Sequence, residues 1–187
     1  SLPEDTIRTL QGRQLHAYLK DIVLPFSAHY RRLFKEHHLT VDDFQTVDDL
    51  RLLPFTSKAD LLATPNDPTK YRDFILTPEA DQLAKRPATI VRALLHGRST
   101  VKKELEHEFR PIFMTSTTGR SADPVPFVYT GHDLDLLAVT GLRLFEVCGA
   151  RSDYRLLNFF PYAPHLAFWQ THYGATAFGV FMMSTGG

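Results

Sequence analysis

At 187 residues, 43% apolar, 12% aromatic and 22% charged, the chain can bury a core as one domain or part of a larger one, which excludes a disordered chain. The 21 basic and 21 acidic residues cancel, which argues against a broad nucleic-acid surface and a polynucleotide partner. No run approaches the ~18 apolar residues of a membrane helix, the N-terminal SLPEDTIRTL is not signal-like, and Cys148 has no second cysteine to pair with; a cytoplasmic protein without a membrane partner is expected.

Over 5–35 apolar residues recur at helical spacing (Ile7, Leu10, Leu15, Leu19, then Tyr30 and Phe34), and Pro25, lacking an N–H, is expected to divide the stretch into two helices. The segment 40-TVDDFQTVDDLRLLPFTSKADLL-62 reads as short helices joined by Pro54, with Thr46 before one acidic turn and Thr56 or Ser57 capping another. Four prolines interrupt 64–87, which reads as irregular with a short strand at 74–76. A helix over 88–96 closes at Gly97, and Ser99 is expected to cap a second helix carrying Val101, Leu105 and Phe109. In 102-KKELEHE-108 the mixed charges are a solvated face; Glu106 and His107 point different ways on a helix, which argues against a metal site.

Beyond Arg110 strand and helix signals alternate. Strands are expected at 111–114 and 125–129. The helix 130–149 follows, with Thr130 as N-cap, Asp133 three residues on, an apolar stripe through Leu134, Leu137, Leu142 and Phe145, and Gly149 as stop. Cys148, at its end, reads as a buried structural thiol rather than a nucleophile. A buried strand at 154–160, a helix at 163–175 closed by Gly174 and a strand at 178–183 complete a pattern that implies parallel pairing with right-handed crossovers. The fold class is therefore α/β: a mainly helical region at 1–110, irregular at about 64–110, followed by a βαβ-type, mostly parallel layer at 111–187.

The stretch 114-MTSTTGRSADPVPFVYT-130 sets hydroxyl residues, a glycine and an arginine between two apolar runs. Phosphate binding needs converging N–H and O–H donors on a backbone that can approach closely, with a persistent positive charge, and 115-TSTTGR-120 offers these. It lacks the second glycine and the lysine of a Walker A loop. By chemistry alone, a phosphate loop and a polar hairpin between two strands both remain open.

The run resembles the phosphate loop [ST]-S-G-T-T-G-K-P of the adenylate-forming superfamily, specifically of its phenylacetate-coenzyme A ligase branch. Thr115 matches the leading hydroxyl residue, Thr117, Thr118 and Gly119 the T-T-G core, and Arg120 stands at the lysine; Ser116 occupies the glycine position and Ser121 the proline position. Around it, 30-YRRLFKEHHLTVDDFQTVDDLRLLPFTSKADL-61, 127-FVYTGHDLD-135 and 172-HYGATAFGVFMMSTGG-187 resemble that branch's ordered segments, whereas 64–110 has no counterpart and reads as an insertion.

The resemblance implies activation of a carboxylic acid by ATP and Mg²⁺ through an acyl-adenylate, then transfer to coenzyme A. It assigns Thr115, Ser116, Thr117, Thr118, Gly119 and Arg120 to the ATP phosphates. It assigns Tyr162, His165 and Phe168 to the wall of an acyl pocket suited to an aryl acid such as phenylacetate; Phe159, Phe160, Leu166 and Trp169 are expected, as large apolar residues, in the core. His172 and Tyr173 match the branch's "HY", as packing or as ligand contacts. In the family the catalytic lysine, the Mg²⁺ ligand and the adenine and ribose contacts follow the match to Gly187, so the chain is expected to be a truncated N-terminal portion, inactive alone, whose exposed surface favours a homodimer. Two other readings stay open: a catalytically silent binding module of the same fold, and an acyl-protein synthetase using a protein thiol.

Overall fold

A computed structural model describes residues 2–62, 64–76, 78–117 and 124–186. They fall into two compact units, Ser1–Gln82 and Leu83–Gly187.

In the first unit, helix α1 (Glu4–Tyr18) runs through a π-helical turn at Leu19–Val23 into the single turn α2 (Leu24–Phe26), and α3 (Ala28–Glu36) follows. The division expected at Pro25 falls instead at Ser27, which adopts extended angles (φ −103, ψ 117) and accepts the Tyr30 N–H on its hydroxyl. A wide π turn just before Pro25 accommodates the missing N–H and the ring, so the helix ends two residues later. The core joins Leu19 and Val23 to Phe34 and Phe44, whose rings stack at 5.2 Å. At Gly12 the helix backbone meets the following turn so closely that a Cβ would lie 2.3 Å from the Gln45 carbonyl oxygen.

The 3-10 turns Val41–Asp43 and Val47–Leu52 and helix α4 (Lys58–Leu61) each begin with a reciprocal cap, Thr40 with Asp43, Thr46 with Asp49 and Ser57 with Asp60. Ser57 caps α4, rather than Thr56. In each pair the backbone N–H donates to the carboxylate at 2.7 Å and the hydroxyl follows. These bonds, the backbone one foremost, hold all three carboxyls below the usual carboxylate range. The strand expected at 74–76 does not form: Lys70–Phe74 is a 3-10 turn, and Ile75 leaves it extended without a ladder partner among the described residues. Phe74 stacks on His29 at 4.0 Å, and the Ser27 hydroxyl donates to the Asp73 carbonyl. Helix α5 (Ala80–Ala84) comes next.

In the second unit, α6 (Pro87–His96) turns at Gly97 into α7 (Arg98–Phe109). Gly97 ends one helix and starts the next at φ 86, ψ 147, so Ser99 lies inside α7 and is not its cap. Strands β1 (Pro111–Ser116) and β2 (Pro126–Thr130) pair antiparallel. Thr130 then caps α8 (Gly131–Val147) through the expected box with Asp133. Strand β3 (Arg155–Asn158), helix α9 (Leu166–Phe178) and strand β4 (Phe181–Ser184) form a βαβ unit in which β3 and β4 pair parallel, Arg155 opposite Phe181 through Asn158 opposite Ser184. Parallel pairing thus holds for β3 and β4. The connection at 117–125 is shorter than the dozen or so residues a crossover needs, which leaves β1 and β2 as a hairpin.

Helices α8 and α9 cross at two glycines: a Cβ on Gly141 would lie 2.6 Å from the Gly174 Cα. Gly174 therefore serves helix contact inside α9, and the helix stops at left-handed Gly179 (φ 78, ψ 24). Cys148, expected to be buried, is exposed at the end of α8, where the helix has run past its packing partners. Helix α7 meets the start of α8 through His107, whose ring lies on the Gly131 backbone and whose Nε2 is 2.8 Å from the Asp135 carboxylate. No helix among the described residues is long and apolar enough to cross a membrane.

Candidate functional site

The site is built where β1 ends, and its first bonds point inward. Thr115 is buried and donates its hydroxyl to the Tyr129 hydroxyl oxygen at 3.1 Å, across the hairpin. Thr117 donates its N–H to the Val125 carbonyl at 3.1 Å and accepts the Val125 N–H on Oγ1 at 3.0 Å, closing the hairpin with a side chain in place of a backbone carbonyl. Val125 is itself buried, so this closure is shielded from water. Thr118, Gly119 and Arg120, with Ser121, lie outside the described residues.

Between Thr115 and Thr117, the Ser116 N–H donates to the Pro164 carbonyl at 3.0 Å. This bond brings the start of the proposed phosphate loop against the segment between β3 and α9 that carries Tyr162 and His165. Tyr162 is half-exposed; its ring lies 4.4 Å from that of Phe168, and its carbonyl accepts the Trp169 indole N–H at 2.9 Å. His165 occupies the residue before α9 with extended angles (φ −84, ψ 147). Phe168 is buried one turn into the helix. The other side of Tyr162 is the backbone of Gly186, where a Cβ would overlap the ring at 1.6 Å from Cε2. Gly186 has φ 60, so the absence of a side chain serves both its conformation and the ring it abuts. Three separated stretches, 115–117, 162–168 and 184–186, thus meet at one place.

Behind them lies an aromatic cluster. Trp169 is edge-on to Phe113 of β1 at 5.1 Å and to Phe168 at 5.1 Å, and His172 lies parallel to Phe168 at 6.0 Å. The His172 Nδ1 is buried without a hydrogen-bond partner among the described residues.

Two expectations about this segment are corrected. Phe159 and Phe160 are not core but 63% and 50% exposed, and the strand expected to run to residue 160 stops at Asn158. Asn158 is the reason. Its side chain, almost fully buried, donates to the Phe168 carbonyl at 3.2 Å and accepts the Phe160 N–H at 3.2 Å, while its carbonyl accepts the Thr185 N–H at 3.1 Å. It therefore ends β3, turns Phe159 and Phe160 outward, and ties the Tyr162 segment to α9 and to the end of β4. A polar residue closing an apolar strand signal was its only trace in the sequence. No group of three His, Cys, Asp or Glu side chains suited to a metal gathers among the described residues.

No protein-family model matches the chain, and no curated protein does. Solved structures do. The chain is similar to 2-hydroxyisobutyryl-CoA ligase in its postadenylation state with 2-HIB-AMP, at TM-score 0.70 and 15% identity, covering 100% of this chain and 33% of that one. The same ligase with 2-HIB-AMP and CoA in the thioesterification state gives 0.69 and 14%, with the same coverage. Its open conformation with 2-HIB-AMP and CoA gives 0.60 and 16%, over 96% of this chain and 34% of that one. The chain thus spans about a third of the length of these proteins. At this identity the likeness is one of fold: the chain has the α/β fold of the N-terminal part of an adenylate-forming acyl-CoA ligase.

Proposed function

We propose that the chain is the N-terminal part of an ATP-dependent ligase that joins a carboxylic acid to coenzyme A through an acyl-adenylate. The observation that carries this reading is the Ser116 to Pro164 bond, which sets the hydroxyl-rich loop beside the aromatic segment in a fold whose neighbours hold an acyl-AMP.

In the proposed reaction a carboxylate oxygen attacks the α-phosphorus of ATP, the bond to the bridging oxygen breaks, and pyrophosphate leaves. The coenzyme A sulfur then attacks the acyl carbon, loses its proton and releases AMP. The first step concentrates negative charge on phosphoryl oxygens, and Arg120 is the group assigned to offset it, with a planar fork able to hold two oxygens at once. Within Thr115–Arg120 the labour divides. Thr115 and Thr117 frame the loop, their hydroxyls engaged with Tyr129 and Val125, and Ser116, Thr118, Gly119 and Arg120 are assigned to the β- and γ-phosphates. Tyr162, His165 and Phe168 are assigned to the acyl pocket, and the half-exposed Tyr162 face favours an aryl acid such as phenylacetate. No ligand set for Mg²⁺ is assigned to this chain.

In the full-length protein, Arg120→Ala is expected to weaken ATP binding at least about tenfold, the loss of one charge-assisted contact. Unchanged ATP affinity would sink the assignment. One observation favours a second reading, a catalytically silent module of the same fold: the N–H groups of Ser116 and Thr117 and the hydroxyls of Thr115 and Thr117 are all engaged within the protein. That reading predicts no ATP binding before any substitution.

A further inference from the structure

Helix α6 presents an apolar face outward. At 100° per residue, Thr89, Arg92, Ala93 and His96 share one side; Thr89 is buried there and Arg92 pairs with Glu104 of α7. The opposite arc, about 140° wide, carries Ile90, Val91, Leu94 and Leu95 at 49, 54, 82 and 73% exposure. Four large apolar side chains on the outward face of one short helix are the reverse of the usual arrangement and mark a contact surface.

The surrounding charge says what covers it. Residues 82–103 contain no aspartate or glutamate and six basic residues, Lys85, Arg86, Arg92, Arg98, Lys102 and Lys103, in a chain of zero net charge. Arg92 and Lys102 have acidic partners on α7, whereas Lys85, Arg98 and Lys103 form no ion pair among the described residues. A preformed helix with an apolar outer face and cations at its flanks is suited to lie in a negatively charged lipid interface, apolar side chains in the headgroup–acyl boundary and ammonium and guanidinium groups on phosphates.

We propose that α6 is an interfacial anchor that lays Ile90, Val91, Leu94 and Leu95 into an anionic membrane surface. This contact is parallel to the membrane, so it needs no spanning helix, and the absence of an apolar run long enough to span does not bear on it. The ligase reading places about two thirds of the protein outside this chain, so the face is tested in the full-length protein.

The test is flotation of the purified full-length protein with phosphatidylcholine vesicles, alone or with a quarter phosphatidylglycerol. Anionic lipid is expected to raise the bound fraction at least about fivefold and high salt to reverse the gain. Leu94→Gln/Leu95→Gln and, separately, Arg98→Glu/Lys103→Glu are expected to return binding to the neutral-vesicle level with circular dichroism unchanged, because these positions are exposed. No flotation, equal flotation on neutral vesicles, or undiminished binding by the leucine variant overturns the proposal. So does a dimer in light scattering that the leucine variant abolishes, which would assign the face to a second copy.

Discussion

The Ser116 N–H donates to the Pro164 carbonyl at 3.0 Å, and this bond joins the end of β1 to the residue before His165. Only the backbone of Ser116 is needed for it. Ser116→Gly, which restores the glycine of the resembled loop, is therefore expected to keep the tether and lose less than about 1 kcal/mol of stability. Ser116→Pro removes the donor and with it the bond, a loss of about 0.5–1.5 kcal/mol. Urea denaturation of the two variants checks the difference; equal stability would mean that the bond does not hold the site.

The contact of Gly141 with Gly174 makes a second prediction. An added Cβ would lie 2.6–2.7 Å from the facing backbone, which cannot give way as a flexible side chain can. Alanine at either site adds up to ~1 kcal/mol of helix propensity, yet overpacking outweighs it, for a net loss of about 1–3 kcal/mol. Thermal melts of Gly141→Ala and Gly174→Ala test this, with Gly149→Ala as a reference that meets nothing within 4 Å but retains the strain of φ 67.

These glycines also show where the sequence was legible. The Thr130 and Asp133 cap, the extent of α8 and the parallel β3 and β4 follow from local spacing, and the structure has them. Gly174 was misread because a glycine inside a helix and one that ends it look alike until the facing helix is known. Ser27 and Asn158 were missed as boundaries for a related reason: the stronger local signals, Pro25 and the apolar run Phe159–Phe160, pointed one or two residues away; Gly97 was legible as the end of α6, and only its second role, opening α7 in place of Ser99, was not. The hydroxyl residues of the loop were legible as donors. That Thr115 and Thr117 direct their donors inward depends on Tyr129 and Val125, eight to fourteen residues on, and no local pattern carries it.

Asn158 is expected to be the most sensitive polar position of the site. Asn158→Leu removes two side-chain hydrogen bonds, the one to the Phe168 carbonyl and the one from the Phe160 N–H, at a cost of about 0.5–1.5 kcal/mol for each. Asn158→Asp keeps the acceptor for Phe160, loses the donor to Phe168 and buries a carboxylate, so it is expected to be destabilising as well. Amide hydrogen exchange at Phe160 separates the two: protection retained in the aspartate variant, lost in the leucine variant.

His29 gives the first unit a dependence on pH. Burial, foremost, and the nearby Arg32 and Lys70 push its imidazole below 6.5, and Asp60 and Asp73 act in the opposite direction. The unfolded chain therefore takes up the proton first. Stability is whole above pH 6.5 and declines as the pH falls from 6.5 toward the lower folded value. His29→Phe keeps the stacking on Phe74 and should remove that decline, as read by melting temperature between pH 7 and pH 5. The caps at Asp43, Asp49 and Asp60 add a second, more acid decline, below the ordinary carboxylate value of 3.8.

The most direct test of the ligase reading is acid-dependent exchange of labelled pyrophosphate into ATP by the full-length protein, across carboxylic acids that include phenylacetate and 2-hydroxyisobutyrate. The account predicts exchange with an aryl acid, its loss in Arg120→Ala, and none from the 187-residue chain by itself. Exchange undiminished in Arg120→Ala, or a full-length protein that neither exchanges with any acid nor binds ATP, would contradict it.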